Sequence, residues 1–75
     1  MRCRAFLEIE GPMVPLIKRS IEPDLPENIS LELKNGTLLV KIQADRISRL
    51  RALVNSVLRM VQVLSDIYDE MKNLQ

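Results

Sequence analysis

Polar and apolar positions alternate at the start of the chain. In RCRAFLEIE, Cys3, Ala5, Leu7 and Ile9 fall on one face, and Arg2, Arg4, Phe6, Glu8 and Glu10 on the other. A period of two marks a half-buried strand. Gly11-Pro12 breaks it. The period then changes: Val14, Ile17 and Ile21 share a helical stripe flanked by Met13 and Leu16. Two early prolines suit a first helical turn, whose N–H groups lack partners anyway. The pattern predicts a short helix over 12–21. EPDLPEN carries two more prolines and is expected to be a loop.

ISLELKNGTLLVKIQA reads as two alternating runs joined by Asn35-Gly36. Asn-Gly suits a two-residue type I′ hairpin, because both turn positions need positive φ. That turn sets the register: Lys34 faces Thr37, Leu33 faces Leu38, Leu31 faces Val40 and Ile29 faces Ile42. Apolar meets apolar three times on one face. On the other face Phe6 and Leu39 are the apolar exceptions.

From Asp45, a good N-cap residue, no Gly or Pro interrupts the chain to Gln75. A helix of that length spans about 42 Å, against about 23 Å for a seven-residue strand. It must overhang its own sheet. One seam follows Ile47, Leu50, Val54, Val57, Val61, Leu64, Tyr68 and Met71; a second follows Leu53, Val57, Met60, Leu64, Ile67, Met71 and Leu74. Together they cover an arc of about 200°, twice what a helix buried on one side needs. One seam can cover the strands, and the second calls for the first helix and another chain.

The element order is strand, helix, strand, strand, helix. Alternating chain direction lets the first strand pair antiparallel with the third. The fold class is therefore α+β: one domain over 1–75, a three-stranded antiparallel sheet of order 1-3-2, and two helices on one face. TLLVKIQA is the most apolar strand and suits the centre.

Composition narrows the function. The chain has 75 residues, a size that buries only about 60% of its unfolded surface, so a partner often completes the core. Net charge is +1, which argues against a global nucleic-acid field. There is no histidine, the commonest general base and metal ligand. No phosphate-cradling or nucleophile motif is present. Neither an enzyme, a cofactor, a metal nor a small-molecule substrate is expected. The single cysteine, Cys3, excludes an internal disulfide and fits a reducing cytoplasm as a packed core thiol. No apolar run approaches a membrane span, and the start lacks a signal-peptide pattern.

Charge along the long helix runs against its dipole. Arg46, Arg49, Arg51 and Arg59 occupy the first half; Asp66, Asp69 and Glu70 the second. The dipole prefers the reverse, by about 0.3–1 kcal/mol per terminal charge. Arg51, Asn55 and Arg59 repeat at i, i+4, i+8. That strip is either a solvated face or a polar contact to a protein carboxylate or RNA phosphate.

The run DRISRLRALVNSVLRMVQVLSDI resembles the C-terminal helix of the small dimerisation subunit of the KEOPS complex, a family that includes the CTAG/LAGE cancer-testis antigens. The matching positions are Asp45, Leu50-Arg51-Ala52, Asn55-Ser56 and Leu58-Arg59. Arg49 stands where the family pattern has a small residue. SIEPDLPE is similar to the family's turn after its first helix.

The resemblance implies a non-catalytic subunit of an archaeal or related KEOPS complex. Such a subunit dimerises with itself or with a paralogue. It holds the tRNA threonylcarbamoyl transferase subunit through a helical bundle, supporting threonylcarbamoyladenosine modification. On this reading Val14, Ile17, Ile21, Leu53, Met60, Ile67, Met71 and Leu74 are the expected partner-binding residues. Arg46, Arg49, Arg51, Asn55 and Arg59 are candidate polar or tRNA contacts. The alternative is a small KH-like module binding tRNA directly. It lacks a GXXG loop, and aromatic residues make up only 3% of the chain.

Overall fold

The computed structural model describes residues 1–73, and side chains through Lys72. Its elements are β1 (Cys3–Glu10), α1 (Val14–Ile21), a 3₁₀ turn (Glu22–Asp24), β2 (Ile29–Lys34), β3 (Thr37–Ala44) and α2 (Ile47–Asn73). The sheet order is β1-β3-β2, with both pairings antiparallel. This is the expected α+β layout. β1 and β2 therefore run parallel with β3 between them, so their link must cross over, and α1 makes that crossing.

The hairpin register matches the expectation pair for pair, from Ile29↔Ile42 to Lys34↔Thr37. Asn35 (φ 53°) and Gly36 (φ 80°) both sit at positive φ, as a type I′ turn requires. At the other end of β2, Asn28 extends the ladder. Its carbonyl accepts from the Gln43 N–H at 3.0 Å, and its side-chain amide donates to the Gln43 carbonyl at 2.9 Å.

β3 occupies the centre, and Leu38, Val40, Ile42 and Ala44 on its core face are all buried. Across from them on β1, Cys3, Ala5, Leu7 and Ile9 are only half-buried. Val14, Ile17 and Ile21 of α1 and Val57 of α2 close the core from above. Among the described residues no polar or charged residue is buried, so hydrophobic burial and packing hold this core.

Three boundaries differ from expectation, each for a local reason. α1 starts at Val14, two residues late, because Gly11 and Pro12 form a turn closed by the Val14 N–H on the Gly11 carbonyl at 3.4 Å. The segment after α1 is not all loop. Pro23 sits in the first turn of a 3₁₀ helix, where its missing N–H costs nothing, and the Leu25 N–H closes it on the Glu22 carbonyl at 3.3 Å. The Leu50 N–H meets the Arg46 carbonyl at 3.0 Å, making Arg46 the N-cap of α2 and moving Asp45 one position outside it.

Candidate partner-binding face of the long helix

α2 has 27 residues, or about 40 Å at 1.5 Å each. Its sheet partner β3 has eight residues, or about 27 Å. The molecule is correspondingly elongated, 49 × 23 × 19 Å. The helix runs well past the layer that it covers.

Burial divides α2 by angle. Val57 is fully buried, and Leu50, Leu53, Val54, Met60, Val61, Leu64 and Tyr68 pack against the core around it. At 100° per residue these positions span about 120°, the width of one covered face. Next to it runs an uncovered stripe, Val63, Ile67 and Met71, at 51, 45 and 57% exposure. These residues are four apart, so they form one row along the helix.

The row lies on the side of α2 that faces α1. Ser20 and Tyr68 hydroxyls meet at 3.1 Å, and Ser20 also donates to the Leu16 carbonyl at 2.9 Å. These contacts tie the two helices together. Between them runs an open groove: Ser20, Ile21 and Asp24 form one wall, and Arg59, Met60, Val63 and Leu64 the other. Leu16, 42% exposed, adds an apolar position on α1 one turn before Ser20. Two helices thus present adjoining apolar positions with a furrow between them, which suits a third helix packing ridge into groove.

The expected partner-binding residues divide three ways. Val14, Ile17 and Ile21 are 1, 4 and 4% exposed and belong to the chain's own core. A thin sheet needs them there, and in this conformation they offer nothing to a partner. Leu53 and Met60 are half-buried against the same core. Ile67 and Met71 are open, and Leu74 lies outside the described residues. The uncovered arc is therefore narrower than the two seams suggested. Val63 and Leu16 belong to this surface though sequence reasoning passed them over; the signal for Val63 was its spacing of four from Ile67.

Arg46, Arg49, Arg51, Asn55 and Arg59 are all exposed. They are not one patch. Arg51, Asn55 and Arg59 share the polar side, where the row continues into Gln62, whose amide donates to the Asp66 carboxylate at 3.0 Å. Arg46 and Arg49 lie near the helix start on the apolar side. Among the described residues the only ion pair is Lys18–Glu22, at 2.9 Å on α1. The arginines are therefore unpaired within the described residues, with Arg59 at the rim of the groove. Also among these residues, no helix is long and apolar enough to cross a membrane.

A family model described as transcription factor Pcc1 matches residues 8–69, from within β1 through most of α2. The chain belongs to the Pcc1 family. This is a family of KEOPS accessory subunits, which is not a catalytic family. Membership carries a KEOPS-related, non-catalytic subunit role and links the chain to tRNA modification. No curated protein matches the chain significantly.

Proposed function

We propose that this member of the Pcc1 family is a dimerisation and scaffold subunit of KEOPS. It holds the tRNA threonylcarbamoyl transferase subunit through a helical bundle and itself performs no chemistry. It works in the cytoplasm, paired with a second copy or with a paralogue. The observation that carries this reading is the open row Val63, Ile67 and Met71 beside the α1–α2 groove. A row of this kind on an overhanging helix gains stability when an amphipathic helix covers it.

Arg51, Asn55 and Arg59 are a solvent-facing strip on the far side of that row, open to tRNA within the assembled complex. A stand-alone RNA-binding role fits less well. The one strongly exposed aromatic residue, Phe6, lies on the sheet face opposite the helices, away from every one of these arginines. The family's printed description as a transcription factor finds equally little support in a net charge of +1.

Light scattering of the chain alone, and mixed with the transferase subunit, tests the proposal. A dimer that becomes a two-to-two complex supports it. A monodisperse monomer that leaves the transferase unbound refutes it.

A further inference from the structure

β1 is an edge strand of eight residues, in unbroken register with β3 from Cys3↔Ala44 to Glu10↔Thr37. Its outer side therefore carries alternating N–H and C=O groups that the sheet does not pair. Proteins usually protect such an edge with a proline, a lysine, a bulge or a charge pointing inward. β1 has none of these; its inward residues are Cys3, Ala5, Leu7 and Ile9.

We infer that this edge pairs with β1 of a second copy, antiparallel, about a two-fold axis at Phe6. The inference rests on the proposed dimer and names its surface. In this register Arg4 faces Glu8 of the other copy, and Arg2 faces its Glu10. Ala5 faces Leu7, Cys3 faces Ile9, and the two Phe6 rings meet on the axis. Every charge thus opposes its opposite, and every apolar side chain an apolar one. Shifting the pairing by two residues sets Phe6 against Glu8 or against Arg4. Shifting it by one brings core-facing residues level with charged ones. The β2 edge is a worse match: centred on Glu32 it stacks like charges, which is destabilising.

Burial points the same way. The apolar layer thins at β1, where core-face residues are half-buried while their β3 partners are buried. Phe6, the chain's single phenylalanine, stands 69% exposed on the outer face. Edge pairing continues the layer across a six-stranded sheet and gives Phe6 a ring to pack on. Both copies keep their helices on the same side, so the α2 row stays open.

Sedimentation equilibrium of the whole chain at low salt tests this, with circular dichroism to confirm folding. Arg4→Glu and Glu8→Arg each place like charges opposite twice per dimer. Each is expected to raise the dimer Kd by about tenfold or more. Combined, they re-form the pairs with signs exchanged and are expected to return Kd to within about threefold of the parent. Phe6→Cys, in a Cys3→Ser background, places two thiols on the axis and is expected to give a covalent dimer on mild oxidation. A parent that stays monomeric overturns both this inference and the dimer on which it rests. A dimer that neither responds to charge exchange nor cross-links at position 6 overturns the edge pairing alone.

Discussion

Val57 and Val63 are the same residue on the same helix, less than two turns and about 120° apart. The fold gives them opposite fates, at 0 and 51% exposure. Truncating each to alanine therefore separates what holds α2 down from what it offers. Val57→Ala deletes two buried methyl groups. Transfer accounts for about 1.6 kcal/mol and the residual cavity for about 1 kcal/mol more. Alanine's better helix propensity returns a few tenths. The net loss is about 2–3 kcal/mol, a quarter or more of the roughly 4–11 kcal/mol typical of a chain this size. At about 4–8 °C per kcal/mol, Tm should fall by about 10–20 °C. Val63→Ala removes methyl groups that water already reaches, so propensity offsets the loss and Tm should move by less than about 3 °C. Thermal melts of the isolated chain at two protein concentrations give both values. Equal shifts would refute one-sided anchoring of α2. A Val63→Ala shift that depends on protein concentration would place Val63 in a self-association interface instead of a free row.

Three further outcomes follow from the same geometry. Gly36→Ala forces a Cβ onto a residue at φ 80° and should cost about 1–2 kcal/mol in a denaturant titration, although no atom lies within 4 Å of that Cβ. Met60→Asp buries a carboxylate against the core and should lower Tm sharply, whereas Ile67→Asp, at an open position, should leave Tm within about 3 °C. If the whole complex uses the polar strip on tRNA, replacing Arg51 and Arg59 with glutamine should reduce the salt slope of tRNA binding by roughly two, with no change in assembly.

Much of this architecture can be read from the chain because local and global signals agree there. Asn35-Gly36 dictates a turn, and the turn dictates which alternating residues meet. The apolar pairs that result are those of the sheet. β3 is central because it has the longest run of core-facing aliphatic residues. The partner surface was harder to read for a physical reason. Periodicity reveals that a helix has an apolar face, but not what covers it. Val14, Ile17 and Ile21 form the same stripe whether they meet a partner or their own sheet, and a thin domain needs them for itself. Where α1 sits beside α2 decides which flank of the long helix stays open. That placement depends on contacts such as Ser20 with Tyr68, 48 positions apart, which no local pattern encodes. The 3₁₀ turn at Pro23 was hidden because the proline that bars a helix interior is welcome in a first turn.

The central claim is that the uncovered row of α2 holds the transferase subunit. Calorimetric titration of that subunit into the parent chain and into the Ile67→Asp variant tests it most directly. A parent that binds, and an equally stable variant whose affinity falls by about a hundredfold or more, is the result predicted for a desolvated apolar contact turned to a charge. Undiminished binding by a folded Ile67→Asp chain would contradict the claim.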